Sequence, residues 1–134
     1  MKAVTWIGVD IAKESFVAAQ RDPEGFQTEQ FPVSPKGLKA FGKWLPQELQ
    51  LQIVLEATGP YWCAFIHELR RVAPEIPVAV VNPRRVRDFA KASSHTSKTD
   101  PLDAQVLLHF AETFEPRLME PSGDRADRQL RALT

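Results

Sequence analysis

The apolar and polar positions in the first part of the chain repeat at the spacing of β-strands. The opening AVTWIGVD, residues 3–10, is rich in β-branched and aromatic residues and predicts a buried strand that ends at Asp10. Two more strand-like runs, residues 14–22 and 25–33, flank the turn DPEG. Because so short a turn joins antiparallel neighbours, the first three elements predict a meander.

Helical spacing then alternates with continuous apolar runs. Ser34-Pro35 predicts a helix start, and the apolar residues that follow at helical spacing are Leu38, Phe41, Trp44 and Leu45. LQIVLEATG, residues 51–59, predicts a strand that is covered on both faces and ends in Glu56. Gly59-Pro60 then opens a second helix, in which Tyr61 and Trp62 could stack on a base, although the helical register of Trp62 favours the core.

The rest of the pattern completes an α/β arrangement. IPVAVVNP, residues 76–83, predicts another buried strand, followed by a short helix over residues 84–92, a polar loop and a helix that begins at Asp100. The predicted order is β-β-β-α-β-α-β-α-α, which indicates a mixed sheet flanked by helices. Periodicity alone supports no more than this mixed α/β sheet. With three antiparallel strands followed by alternating helices and strands, and with the first strand central, the order resembles that of a ribonuclease H-like fold.

Two aspartates stand at the start of the last predicted helix. In KTDPLDAQVLLHF, Asp100 precedes a proline, which is a strong helix-start signal, and Asp103 falls in the first turn, where the helix dipole favours negative charge. Helix capping therefore accounts for both residues without any chemistry. A metal site would require further carboxylates nearby.

Such carboxylates occur at the ends of two predicted strands. Asp10 ends the first strand and Glu56 lies near the end of the fourth, and these strands are neighbours in this class of sheet. A helix beginning at Asp100 can pack across that edge with Asp100 and Asp103 on one face. Each acid alone is more often structural, as a loop partner, an ion-pair partner or a cap. Their joint placement favours one common site.

Four carboxylates in one cleft need cations, and their hard oxygen ligands suit Mg²⁺ or Mn²⁺ rather than zinc. Two such ions about 4 Å apart stabilise both the attacking and the leaving oxygen of a phosphodiester displacement. The chemistry that this arrangement indicates is phosphoryl transfer on nucleic acid.

Composition constrains the protein only in part. The 134 residues predict one domain, and 17 basic residues balance 17 acidic ones, so that only a local cluster could favour nucleic-acid binding. The single cysteine excludes an internal disulfide. No apolar run approaches the ~20 residues of a membrane span, and no signal peptide is apparent. We therefore expect a soluble, intracellular protein with no membrane contact.

A local basic cluster lies in PRRVRDFAK. Arg84, Arg87 and Lys91 recur at helical spacing, and this stripe can either contact a phosphate backbone or form an ordinary solvated face. Arg85 and Lys98 are possible additions to a phosphate contact. Lys13, close to Asp10, could serve in the same way or be an exposed loop lysine.

Four motifs in order resemble the N-terminal domain of the DEDD transposases of bacterial insertion sequences: GVDIAKESF, LEATGPYW, VVNPRRVRDFAKA and SKTDPLDAQVL. That family is similar in fold to the RuvC resolvases and is related to Piv-type DNA invertases. The resemblance implies that Asp10, Glu56, Asp100 and Asp103 are the catalytic ligands of divalent metal ions. It also implies DNA as substrate, a guide RNA, assembly of copies on DNA, and a second domain that supplies a serine nucleophile.

The end of the chain differs in character from the rest. We expect residues 1–115 to form the catalytic domain and residues 116–134 to form a linker and the start of a helical connection to a missing domain. The helix-like pattern that carries Leu130 and Leu133 stops without a cap, which indicates a fragment of a longer protein.

Other functions remain open on the sequence. The same metal site could serve a resolvase-like or nonspecific nuclease, and a fragment could act only in DNA binding or dimerisation. Sugar-kinase and actin-type ATPases also open with a strand ending in aspartate, but they need a glycine- and threonine-rich loop after it. Here IAKES follows, which disfavours that class.

Overall fold

A computed structural model of the chain describes residues 4–47, 50–93 and 103–119. Its elements follow the predicted order β-β-β-α-β-α-β-α-α. Their bounds are β1 Thr5–Ile11, β2 Ser15–Asp22, β3 Gly25–Pro32, α1 Pro35–Trp44, β4 Leu51–Glu56, α2 Tyr61–Val72, β5 Val78–Val81, α3 Pro83–Ala92 and α4 Ala104–Phe114.

The strands form one mixed sheet in the order β3-β2-β1-β4-β5, with β1 in the centre. The first three strands pair antiparallel, whereas β1 with β4 and β4 with β5 pair parallel. This topology confirms the predicted α/β class and is consistent with a ribonuclease H-like fold. Because the three parallel strands point the same way, their carboxyl ends meet at one edge of the sheet, which we call the carboxyl edge.

Helices cover both faces of the sheet. Ile7 and Val9 of β1 pack into a core with residues of α1 and α2, whereas Trp6 packs with residues of α3 and α4 on the opposite face. Alternate side chains of a strand point to opposite faces, so a central strand between two helical layers must be apolar on both. This is the physical basis of the continuous apolar runs in the sequence.

Local capping signals determine most helix starts. The Ser34 hydroxyl accepts a hydrogen bond from the backbone N–H of Gly37 at 3.0 Å, and the Asn82 side chain accepts one from the N–H of Arg84 at 2.8 Å. Each cap is followed by a proline at the first helical position, where the missing N–H costs no hydrogen bond. The third helix therefore begins at Pro83, one residue earlier than predicted.

The last helix begins later than predicted. The sequence placed its start at Asp100 and put Asp103 in its first turn, but α4 begins at Ala104 and Asp103 is its N-cap residue. Asp103 Oδ1 accepts the backbone N–H of Val106 at 3.0 Å, which is the hydrogen bond of a capping side chain. Asp100 lies outside the described residues.

Two strands differ from the sequence pattern at their ends, whereas β4 ends at Glu56 as predicted. β1 continues one residue past Asp10, and β5 covers only Val78–Val81. After Glu56 the chain leaves the sheet through Gly59, whose φ of 66° is a left-handed conformation that glycine adopts without strain. Ile76, at the start of the last apolar run, packs against the core although it lies outside β5.

The segment after α4 runs back to the edge of the sheet. Met119 donates its backbone N–H to the Val78 carbonyl at 2.7 Å, and Leu118 and Met119 pack against the two cores. No helix in the described part of the chain is long and apolar enough to cross a membrane.

Candidate active site

Two acidic side chains lie on neighbouring strands at the carboxyl edge. Val9 pairs with Leu55 in the parallel ladder of β1 and β4, and one step further along this register Asp10 lies beside Glu56. Trp6 and Val54, which alternate with them along the two strands, pack in the α3–α4 layer. By the two-residue period of a strand, Asp10 and Glu56 therefore face that same layer.

A close backbone contact brings the third acid to this place. A β-carbon on Gly8 would lie 2.1 Å from the carbonyl oxygen of Ala104 and 2.9 Å from the backbone nitrogen of Leu108. The backbone of α4 thus rests directly on β1, which only glycine permits. Because Asp103 precedes Ala104 and Asp10 lies two residues beyond Gly8, this contact brings the two aspartates together.

The three carboxylates interact electrostatically. The pKa of Asp10 is raised from 3.8 to about 6, first because the group is buried and then because the charges of Glu56 and Asp103 repel its ionised form. Asp103 is exposed, so the group opens to solvent on the side of α4. Such a mutually repelling set of oxygen ligands is favourable only when a cation or a proton neutralises it.

Glu56 carries an unsatisfied atom. Its Oε2 is buried and has no hydrogen-bond partner in the described structure. A buried polar oxygen without a partner is unfavourable, and a cation would supply the missing interaction. Within residues 4–47, 50–93 and 103–119, however, no three His, Cys, Asp or Glu side chains lie close enough together to form a metal-binding group. The carboxylate oxygens of Asp10, Glu56 and Asp103 are thus of the type that a hard divalent cation prefers. In the described residues, however, these side chains do not lie close enough together to coordinate one ion.

Basic side chains flank the carboxyl edge. Glu56 pairs with Val81 at the end of β5, and α3 begins two residues later, so its first turn lies next to the acids. The predicted basic residues of α3 are all exposed: Arg84, Arg85, Arg87 and Lys91. Lys13 is exposed in the loop that follows β1. Lys98 lies outside the described residues.

Residues 7–134 match the DEDD transposase family of the IS110 type, whose description is "Transposase". The chain belongs to this family. It is also similar to the pilin gene-inverting proteins of Moraxella bovis and Moraxella lacunata, with 30% identity over 124 residues. That alignment covers 90% of the chain but only 38% of each relative. The match confirms the family that the four sequence motifs predicted, and this transposase chain spans less than two-fifths of the relatives' length.

Two features of the transposase chain were not predicted from its sequence. One is the contact of Gly8 with α4, for which a glycine inside an apolar strand was the available signal. The other is the exposed ring of Phe114 beside Arg85, whose guanidinium lies 6.0 Å from its centroid and 5.6 Å from that of Phe110. Helical periodicity alone does not show that a phenylalanine of an apolar helix remains exposed. Of the residues predicted as alternatives for base stacking, Trp62 is buried and Tyr61 is 40% exposed.

Proposed function

We propose that this chain is the catalytic domain of a DNA transposase or recombinase that cleaves and joins DNA strands with divalent metal ions. The observation that carries the proposal is the electrostatic coupling of Asp10 to Glu56 and Asp103 at the carboxyl edge. A half-buried carboxyl whose pKa is raised by burial and by neighbouring acids, with cations nearby, is typical of sites that perform chemistry. Family membership gives this chemistry its substrate class, which is DNA.

Asp10, Glu56 and Asp103 would hold the metal, with Asp100 as the fourth ligand by resemblance to the family. Mg²⁺ or Mn²⁺, two ions in all, would supply stabilisation of the charge that develops on the oxygens at the scissile phosphate. The protein's own part is positional. The β1–β4 ladder sets Asp10 beside Glu56, and the N-cap of α4 holds Asp103 against the same edge.

The DNA backbone would contact the basic side chains around this edge. Since the chain has no net charge, attraction for DNA must come from a local cluster, and the exposed cations of α3 form one. The proposed phosphate contacts are Lys13, Arg84, Arg85, Arg87, Lys91 and Lys98. Each would raise affinity and set the register of the backbone without reading sequence.

The longer protein would contribute further parts. We infer a catalytic domain over residues 1–115 and a connecting segment over residues 116–134, leading to a domain with a serine nucleophile. A guide RNA and assembly of several copies on DNA belong to the same inference, because all rest on the family resemblance. The expected place of action is the bacterial cytoplasm.

Site-specific inversion is a second candidate. The relatives named pilin gene-inverting proteins are similar to 90% of this chain, which favours inversion of a DNA segment as the outcome in the longer protein. Inversion and transposition use the same strand chemistry and differ in how the DNA ends are joined. A plasmid carrying two inverted sites, incubated in cells with the longer gene product, distinguishes them by whether the segment flips or moves.

Calorimetric titration with Mg²⁺ or Mn²⁺ tests the metal site directly. We expect the 134-residue chain to bind the ion and the Asp10→Asn variant to lose that binding, since a neutral amide is a much weaker ligand for a hard cation. Asp88→Asn is the matched control, because Asp88 is an exposed aspartate of α3 and should not affect the titration. Equal binding by the chain and by Asp10→Asn would contradict the proposal.

A further inference from the structure

One end of α4 carries an aromatic cluster that the proposed metal chemistry does not use. Phe114 is 49% exposed, and its ring lies 5.0 Å from that of Phe110 and 5.6 Å from that of Phe89. Phe110 is fully buried and Phe89 is half-buried, so the exposed Phe114 ring packs on two rings that the core holds in place. We call these three rings, together with Arg85, the aromatic platform.

Arg85 gives the platform a cationic side. Its guanidinium carbon lies 6.0 Å from the Phe114 centroid and 5.6 Å from the Phe110 centroid, within the range of a cation–π contact. The contact holds a planar cation beside a planar apolar ring, both near solvent. This pairing of a stacking surface with a positive charge is the combination that proteins use to bind unpaired bases.

The surroundings of the platform are positive. α3 carries four exposed cations, Arg84, Arg85, Arg87 and Lys91, against one acid, Asp88. On α4 the Glu112 carboxylate forms an ion pair with Arg21, which donates hydrogen bonds to it from Nη2 at 2.7 Å and from Nε at 3.1 Å. Glu115 is the remaining acid next to Phe114. The charge favours a polyanion over an acidic or neutral apolar protein segment.

From these observations we propose that the aromatic platform binds a single-stranded nucleic acid, with one base stacked on Phe114 and the adjoining phosphates on the cations of α3. A duplex would not use the platform, because its bases are already stacked inside the helix and only its phosphates reach a surface ring. The proposal rests on the proposed function, because it specifies that the nucleic acid bound at the carboxyl edge is single-stranded. Asp103 and Phe114 lie at opposite ends of α4, roughly 16 Å apart at the rise of an α-helix, so the carboxyl edge and the platform lie along one helix.

Fluorescence anisotropy with labelled oligonucleotides tests the platform. The probes are dT and rU single strands of roughly 12 nucleotides, within the site sizes that single-strand-binding domains cover, and a DNA duplex of equal length. Without divalent ions, the chain should bind at least one single strand more tightly than the duplex. The two single strands distinguish DNA from RNA as the source. Tighter binding of the duplex, or no binding of either single strand, would overturn the proposal.

Substitutions separate stacking from charge. Phe114→Ala should weaken single-strand binding about tenfold and leave duplex binding unchanged, since a stacked base depends on the ring. Phe114→Leu should have the same effect while keeping an apolar side chain on Phe110, which separates stacking from folding. Arg87→Gln should weaken binding of both probes and lower the salt dependence of single-strand binding by about 0.7 in its logarithmic slope.

A control variant lies on the opposite face of the sheet. Lys39→Gln removes an exposed cation on α1 and should leave single-strand binding unchanged. Because single-strand binding is measured without divalent ions and metal binding is measured without oligonucleotides, a failure of the metal site and a failure of the platform give different results. A loss in Lys39→Gln equal to that in Arg87→Gln would contradict a specific platform.

Discussion

The carbonyl oxygen of Ala104 lies 2.1 Å from the point where Gly8 would carry a β-carbon. Strand β1 and the first turn of α4 therefore touch backbone to backbone. This contact decides how near Asp103 comes to Asp10, since each aspartate lies within two residues of the contact. A glycine in the core thus has a direct bearing on the geometry of the candidate active site.

Gly8→Ala should be strongly destabilising. The added methyl group meets backbone atoms of α4, which cannot rotate away as a side chain can, so the helix must shift. Overpacking of this kind costs about 3 kcal/mol in the free energy of unfolding, which urea denaturation followed by circular dichroism measures.

Gly42→Ala is the matched control for that experiment. Gly42 lies within α1 on its exposed face, where an added β-carbon meets nothing within 4 Å. Alanine is the better helix former, so this variant should be more stable by about 1 kcal/mol. Stability of Gly8→Ala equal to that of the unaltered chain would show that α4 does not rest on β1 as described.

Two substitutions at Asp103 separate its capping role from its charge. Asp103→Ala removes the acceptor for the Val106 N–H and should cost about 1 kcal/mol in stability. Asp103→Asn keeps a good N-cap and should leave stability within a few tenths of a kcal/mol. Both variants should weaken Mg²⁺ or Mn²⁺ binding in calorimetric titrations, because both remove a carboxylate.

Ser34→Ala is the matched control, because Ser34 is a helix N-cap residue that has no part in the proposed metal site. Ser34 caps α1 with the same kind of hydrogen bond, so its removal should also cost about 1 kcal/mol, but metal binding should be unchanged. If Asp103→Asn bound metal as well as the unaltered chain, Asp103 would be a cap and nothing more.

The raised pKa of Asp10 predicts how stability depends on pH in the metal-free protein. A carboxyl whose pKa is higher in the folded state, about 6 against 3.8, favours folding fully below pH 3.8 and loses that contribution as pH rises through 6. Asn at this position cannot ionise. Metal-free Asp10→Asn should therefore be more stable than the unaltered chain near pH 8, by about 1 kcal/mol after discounting for solvent screening.

Thermal unfolding in the presence of a chelator, from about pH 3 to about pH 8, measures this difference. The two melting temperatures should converge at the acid end, below the unfolded-state pKa of 3.8, where Asp10 is protonated in both folded and unfolded chains. Asp22→Asn is a control at the β2–β3 turn, away from the other acids of the site. A difference in melting temperature between Asp10→Asn and the unaltered chain that stays constant at every pH would contradict the raised pKa of Asp10.

In the longer protein, loss of either aspartate should abolish recombination. Asp10→Ala and Asp103→Ala each remove a proposed metal ligand, and a phosphodiester displacement that depends on two ions should not proceed with an incomplete set. The assay is rearrangement of a reporter plasmid in cells, with Asp88→Ala as the control that retains activity. Full activity of either variant, with the protein folded, would refute the assignment of the site.

Local signals in the sequence were enough to predict the order of the elements and, within two residues, most of their starts. Ser34-Pro35 marks a helix because a cap and a proline act within a few residues, and that physics is the same in any fold. Asn82-Pro83 is a pair of the same kind, although the predicted start of that helix was Arg84, one residue later. The alternation and the continuity of apolar residues predicted which strands are covered on both faces. The four motifs predicted the family, because they preserve residue types in order along most of the chain.

The start of α4 shows where a local signal was insufficient. Both Asp100 and Asp103 are good caps by residue type, and the sequence pattern favoured the first of them because a proline follows it. In the structure Asp103 is the cap, and Ala104 is the residue in contact with Gly8. The contact of Ala104 with Gly8, which a capping rule does not include, fixes the place of this end of α4 on β1.

The sequence by itself determined the element order, the cap of α1 and the family, because each depends on residue types within short stretches of the chain. The tertiary structure alone decided that Asp10 is repelled by Glu56 and Asp103, and that Phe114 stays exposed beside Arg85. Asp10 and Asp103 are 93 positions apart, and their separation in space depends on how closely α4 packs on β1. Packing of that kind is a property of the assembled backbone, and no periodicity of the chain encodes it.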